Sequence, residues 1–281
     1  MSDTIHMTIL VENTAGRRDL LGEHGLAFWI DTGTRRVLFD TGQGIALEHN
    51  ARRLGIDLAS ADAIVLSHGH YDHTGGLAIA TQSAPEAVLY AHPAAFEKKY
   101  ARNQDGSSRE IGFPSPKDGA LQDMCAKWTP TQQATEVFNR GFATGAIPRH
   151  TAFEDTGGPF FLDKDCHTPD PLDDDQALFF ESSQGTVVLL GCAHAGVVNI
   201  LRHIRELTCG RRIHAVIGGM HLHQASPERI TQTIQAFREL DIEMIRPAHC
   251  TGATATAQLS AAFPDRCAPC PAGTTLEFHV S

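Results

Sequence analysis

No stretch of this 281-residue chain approaches the roughly 20 consecutive apolar residues that a membrane-spanning helix needs. Its start, MSDTIHMTILVEN, lacks the basic region and following apolar stretch of a signal peptide. A cytoplasmic protein with no membrane partner is therefore expected. Positive charge is also scarce. Lys and Arg number 23 against 33 Asp and Glu, a formal net charge of -10, and no basic stripe is visible. That balance argues against a nucleic-acid partner or an anionic membrane surface. A disulfide framework is missing too. The cysteines are seven, an odd number, scattered at Cys125, Cys166, Cys192, Cys209, Cys250, Cys267 and Cys270. Without a signal peptide they read as reduced thiols. No internal repeat or composition break divides the chain, so one domain spanning residues 1–281 is expected. With 42% hydrophobic and 20% charged residues, wholesale disorder is excluded and a sizeable core is affordable.

What the chain has in quantity is histidine, 16 in all. Imidazole is the commonest metal ligand and the usual proton carrier near neutral pH. The apolar pattern places these rings. MTILVEN, LAFWIDT and RRVLFDTG suit strands, and AIVLSH (63–68) is an apolar strand that stops on a histidine. Residues 45–54 read as a helix, AVLYAH (87–92) as a strand, and a helix is expected from Pro93. From about 100 to 175 Gly, Pro, Ser, Asp and Gln dominate, which suggests inserted loops with short elements, functional or mobile. Order returns with the strand pair QALFFESSQGTVVLLG and a helix at 195–207. The strand IHAVIGG, a helix capped by Ser226 and started by Pro227, the strand EMIRPAH, a helix at 251–263 and a last strand TTLEFHV follow. Strands with interspersed helices in both halves suit an α/β sandwich.

The sharpest signal is Ser67-His68-Gly69-His70-Tyr71-Asp72-His73-Thr74-Gly75-Gly76. It offers four potential ligands within six residues, directly after a buried-type strand. Neutral imidazoles and a carboxylate are what Zn²⁺ or a similar divalent ion takes. His68 and His70, two apart on extended backbone, point the same way, and Asp72 and His73 come round at the turn. The glycines are expected to let the backbone pass close to the metal.

HGHYDH followed by TGG resembles the HxHxDH signature of the metallo-β-lactamase fold superfamily. VLFDTG (37–42) also fits, since the superfamily carries a strand-ending Asp beneath its metal loop. GCAHAGVVN (191–199), GGMHL (218–222) and PAHCTG (247–252) resemble a narrower branch, the dihydropterin-ribofuranosyl-aminobenzene phosphate synthase-like metal-dependent hydrolases. The resemblance covers nearly the whole chain. It implies an αββα sandwich of two mixed β-sheets flanked by helices, holding one or two metal ions at the sheet edges. His68 and His70 match ligands of the first metal. Asp72, His73 and His249 match ligands of the second.

In the middle the chain departs from the superfamily pattern. A third histidine usually precedes a hairpin whose end carries a bridging Asp, but the corresponding stretch here is Pro169-Asp170-Pro171-Leu172-Asp173-Asp174-Asp175-Gln176. The hairpin strand VVLLG ends instead on Cys192 and His194. His194 is expected to supply the missing imidazole, with Cys192 a buried thiol or a further ligand. His221 lies beyond these six donors and is available for proton transfer or for holding an anion. His223 is a weaker candidate for such a role. Asp173 to Asp175 read as a solvated turn or as a group orienting a ligand imidazole. Cys267 and Cys270 read as free thiols in a turn.

The expected function is a metal-dependent hydrolase that uses a metal-activated water on an ester, lactone, phosphoester or amide of a small molecule. Asp72 would orient the nucleophile as well as ligate. Zinc is the favoured ion, as one or two equivalents, with iron or manganese as alternatives. An iron-dependent oxidoreductase and a metal-binding protein without turnover are the competing classes.

Overall fold

A computed structural model describes residues 4–114 and 125–280 of the protein. The stretch 115–124, part of the irregular region expected at 100–175, lies outside the described residues.

The first half folds as β1 (Thr4–Val11), β2 (Ala27–Asp31), β3 (Arg36–Phe39), helix α1 (Leu47–Leu54), β4 (Ala63–Val65), the one-turn helix α2 (Tyr71–Thr74), α3 (Leu77–Ser83) and β5 (Val88–Ala91). The middle holds β6 (Tyr100–Arg102), β7 (Ser108–Glu110), β8 (Trp128–Pro130), β9 (Thr135–Phe138), β10 (Gly141–Ala143) and β11 (Phe160–Phe161). The second half adds β12 (Ala177–Ser182), β13 (Gly185–Leu190), α4 (Val197–Leu207), β14 (Ile213–Gly219), α5 (Pro227–Glu239), β15 (Met244–Ala248), α6 (Ala253–Ala262) and β16 (Thr275–His279).

Both main sheets are mixed. The first runs β16-β1-β2-β3-β4-β5-β8, antiparallel up to β3 and parallel from β3 onward. The second runs β15-β14-β13-β12-β10-β9, with β13, β14 and β15 parallel. The irregular middle region thus sends β8 to one sheet and β9 and β10 to the other. A three-stranded sheet, β11-β6-β7, belongs to that region alone.

Side-chain alternation assigns the faces. Val37 and Phe39 of β3 meet Val187 and Leu189 of β13 in the core between the sheets, while Leu38 turns outward to Leu47 of α1 and Leu77 of α3. Val188 and Leu190 of β13 face outward onto Val197, Leu201, Phe237 and Leu259 from α4, α5 and α6. Strands covered on both faces need a continuous apolar run, which is why β13 reads GTVVLL and is buried throughout. The result is the αββα sandwich the sequence implied. Helix α5 starts as its sequence predicts, with Pro227 in its first turn and Ser226 Oγ accepting the Arg229 N–H at 3.1 Å. The helix expected after Pro93 is only a 3₁₀ turn, Pro93–Phe96. It stops there because the chain returns to extended backbone at Glu97 and pairs as β6.

Candidate metal centre

The histidine-rich segments meet where the parallel strands of both sheets end. Asp40 follows β3 and His68 follows β4; Cys192 and His194 follow β13, His221 follows β14 and His249 follows β15. Carboxyl ends of parallel strands are where open α/β sheets place ligands, because the chain turns away there and leaves a crevice. The turns are sharp. Asp40, Ala193, His221 and His249 have φ of 59°, 57°, 46° and 49°. Such left-handed backbone costs of order 1–3 kcal/mol at a non-glycine residue and persists only where the surroundings enforce it.

Six of the donors read from the sequence come together as two triads. Nε2 of His68 lies 3.0 Å from Nδ1 of His70, which lies 3.1 Å from Nε2 of His194. Nε2 of His73 lies 3.2 Å from Nε2 of His249. Asp72 Oδ2 stands 3.3 Å from that His249 nitrogen and 3.9 Å from the His73 one. His70 sits just before α2, so Asp72 and His73 occupy its first turn and face the second triad while His68 and His70 face the first. Cys192 stands at the junction, its Sγ 3.1 Å from His73 Nε2 and within 4.8 Å of donors in both triads.

The outward nitrogens explain why the rings aim inward. His73 Nδ1–H donates to Asp40 Oδ2 at 2.7 Å, and His194 Nδ1–H to the Thr156 carbonyl at 2.7 Å. His249 Nδ1–H donates to Asn13 Oδ1 at 2.8 Å. Ser67 Oγ donates to Asp40 Oδ2 and so accepts from His68 Nδ1–H at 2.9 Å. With the ring neutral, each bond leaves a lone pair on the inner Nε2, the arrangement by which carboxylates and carbonyls orient metal-ligating histidines. His70 is reversed, with Nδ1 inward and a buried Nε2 that has no hydrogen-bond partner among the described residues.

Electrostatics separates the triads. Burial pushes His68 and His194 well below the ordinary imidazole value, and drives His70 down to about 3, so the first triad is neutral. Burial also opposes charge on His73, yet Asp40 and Asp72 outweigh it and raise that ring to about 9. For Asp72, burial favours the neutral acid, but His73 and hydrogen bonds from His24 and His249 hold its carboxyl well below the usual range. The donor set fits a divalent cation. In the neutral first triad, inner nitrogens crowded to 3.0–3.1 Å, with the His68 and His194 protons committed outward, are poorly satisfied unless a positive charge lies between them.

Above the triads a cleft of about 480 Å³ opens, with Phe160, Arg102, Arg109, His24, His221 and Gly157 among its walls. Phe160 packs its ring 5.1 Å from that of His70 and 5.3 Å from that of His194. His221 is buried here, its Nε2 3.2 Å from the Gly157 carbonyl and its Nδ1 without a nitrogen or oxygen partner among the described residues. Burial disfavours a charged His221, but the Cys250 thiol beside it reverses the balance and raises its pKa. His223, more exposed, borders the same cleft.

Several supporting groups were not legible in the sequence. His24 reaches Asp72 Oδ2 at 3.2 Å. Glu12 Oε1 accepts the His249 N–H at 2.7 Å. Asp174 and Asp175 are buried, so the expectation of a solvated turn fails at both. Asp174 Oδ2 accepts the Gly69 N–H at 2.7 Å while its Oδ1 pairs with buried Lys99 at 2.9 Å, and Asp170 pairs with the same lysine at 2.9 Å. Asp175 Oδ2 accepts the Ala195 N–H at 2.8 Å, beside His194. The need for glycine at 69 also differs from the expectation. A Cβ there would lie 2.1 Å from the Ala95 carbonyl oxygen, so the close approach is to neighbouring backbone. Cys267 and Cys270 are free thiols outside the cleft.

This fold and this loop define a class, and comparison with known proteins agrees. The model of the metallo-beta-lactamase superfamily matches residues 21–249, and the chain belongs to that family. It is 29% identical over 261 residues to a Methanocaldococcus jannaschii protein named 7,8-dihydropterin-6-methyl-4-(beta-D-ribofuranosyl)-aminobenzene-5'-phosphate synthase, covering 89% of this chain and 88% of that one. An uncharacterized protein of the same organism is 31% identical over 258 residues, covering 90% and 93%. The crystal structure of Tm1679, described as a metal-dependent hydrolase of the beta-lactamase superfamily, superposes with a TM-score of 0.81 at 30% identity, covering 97% and 98%. The resemblance to the dihydropterin-ribofuranosyl-aminobenzene phosphate synthase seen in the sequence thus extends over 88% of that relative.

Proposed function

We propose that the protein is a metal-dependent hydrolase acting on an ester, lactone, phosphoester or amide of a small molecule. The observation that carries this reading is the pair of triads, His68/His70/His194 and Asp72/His73/His249, with four of their rings locked from behind. Zinc suits the imidazole-rich set best; iron and manganese share the chemistry of these donors. A bound divalent ion would supply Lewis acidity, polarising the scissile group and making hydroxide available near neutral pH.

The chain's own residues do the remaining work. Asp72 Oδ2 faces the cleft between His24 and His249 and orients the attacking water. Phe160 covers the first triad and excludes bulk solvent from one side. His221 lines the cleft wall, where it donates a proton to a leaving group or holds a developing anion. We read residues 1–281 as one domain, whose 100–175 region builds the outer wall of the cleft.

A second reading comes from the name of the M. jannaschii relative, a synthase. The same donors could activate a nucleophile other than water. One experiment separates the two: zinc-loaded protein is assayed on a panel of esters, lactones, phosphoesters and amides in oxygen-labelled water. Label in the product, lost on chelation and restored by zinc, supports hydrolysis. Inactivity on all four bond classes, or full activity in metal-free protein, overturns it.

A further inference from the structure

The two triads use six donors and leave Cys192, Cys250 and His221 over. We propose that these three form an additional site for a thiophilic divalent cation, one that shuts the enzyme when filled. The inference depends on the hydrolase reading only for what the ion would block, not for its binding.

The three residues follow neighbouring parallel strands of one sheet: Cys192 after β13, His221 after β14 and Cys250 after β15. All three are buried, and all line the cleft, so an ion can reach them. One sulfur from each cysteine and one ring nitrogen of His221 lie within 4.8 Å of one another. Bond lengths of about 2.3 Å to sulfur and 2.0–2.1 Å to nitrogen put tetrahedral donors about 3.5–3.8 Å apart, within reach of small side-chain adjustments. Two independent features point to a ligand. Among the described residues, His221 Nδ1 is a buried polar atom with no hydrogen-bond partner of nitrogen or oxygen, and the group beside the ring is the Cys250 thiol. The Cys250 thiol faces both the Cys192 thiol and His221, with a long 3.6 Å contact to the Cys192 carbonyl, and Gly219 leaves the space for it, since a Cβ there would lie 2.6 Å from Sγ.

Two thiolates and an imidazole form a soft set. It selects zinc or cadmium over magnesium or calcium, which prefer oxygen. Cys192 decides the consequence. Its sulfur lies at the junction of the two triads, so binding in the new site draws it away from them and immobilises His221 against the wall. The fourth position of the ion faces the cleft, where water or substrate completes it. Excess zinc should therefore inhibit, through a site distinct from the two triads.

The test uses full-length, metal-free, reduced protein titrated with cadmium chloride. Bound metal is counted after desalting, and thiolate coordination is followed by sulfur-to-cadmium charge-transfer absorbance and cadmium NMR. The wild type should take a third equivalent whose resonance reports two sulfur ligands. Cys250→Ser should lose that equivalent and keep the other two, and His221→Ala should weaken it at least 10-fold. Saturation at two equivalents in the wild type overturns the proposal. So does a third equivalent with unchanged absorbance in Cys250→Ser. The wild-type NMR spectrum decides the matter even if a variant fails to fold. A protein that takes the third equivalent yet hydrolyses nothing would sink the hydrolase reading and leave this site standing.

Discussion

Asp40 Oδ2 lies 2.7 Å from His73 Nδ1 and 2.7 Å from Ser67 Oγ, so one buried carboxylate orients a ring in each triad, His73 directly and His68 through the serine. It also accepts the Ser67 N–H through its other oxygen at 2.7 Å, tying the end of β3 to the end of β4. Asp40→Ala removes all three bonds while leaving every metal donor in place. Metal affinity should fall about 10–100-fold, the usual range for losing an outer partner of a ligating histidine. Competition with a chromophoric chelator measures it; unchanged affinity would mean that packing alone orients the rings.

Metal should accompany the protein. Material purified without chelators should contain a divalent ion, zinc first, at a measurable fraction of one equivalent or more by elemental analysis. Adding zinc to metal-free protein at about 100 times its dissociation constant should stabilise the fold by about 2.7 kcal/mol. A thermal midpoint that ignores both zinc and chelator would argue against a structural basin for metal at these triads.

His194 and Cys192 both leave the end of β13, two residues apart. His194 closes the first triad through Nε2, at 3.1 Å from His70, whereas Cys192 stands beside both triads. His194→Ala should lower the metal content of the two triads far more than Cys192→Ser. Elemental analysis of the two variants, purified side by side, gives the order. The reverse order would make the thiolate the principal ligand.

For His221 the outcome differs in kind. At no more than two metal equivalents, His221→Ala should keep most of its metal and lose about 100-fold or more in turnover, the range for a positioned acid–base group. Metal and turnover must be measured on one preparation. Loss of one of the two equivalents would make it a ligand of the main centre, and full activity would make it a packing residue.

Lys99 anchors the loop from the far side. Its ammonium is buried between Asp170 and Asp174, and Asp174 in turn holds the Gly69 N–H between His68 and His70. Lys99→Met leaves two buried carboxylates without their cation, a change that typically costs about 3–5 kcal/mol. Chemical denaturation of metal-free protein should show a loss of that order. Lys99→Met with Asp170→Asn and Asp174→Asn should recover much of it; no recovery would place the cost elsewhere.

The layers and the ligand types are legible in the order of residues along the chain. Val37 to Phe39 and Val187 to Leu190 alternate between inner and outer cores, so their unbroken apolar runs specify strands covered on both faces. The HxHxDH spacing likewise specifies its own geometry, because His68 to His73 are close enough in the chain for local backbone to direct them. What distant segments contribute depends on how the strands are brought together. Asp40, His194 and His249 stand beside the loop only because β3, β4, β13, β14 and β15 run parallel and end together. The support from Glu12, Asn13, His24 and Thr156 follows from that convergence, with no spacing rule to announce it. Asp174 shows the same limit most clearly. Three consecutive aspartates look solvated in the sequence, and only the burial of Lys99 beneath them gives the middle one a cation and a loop to hold.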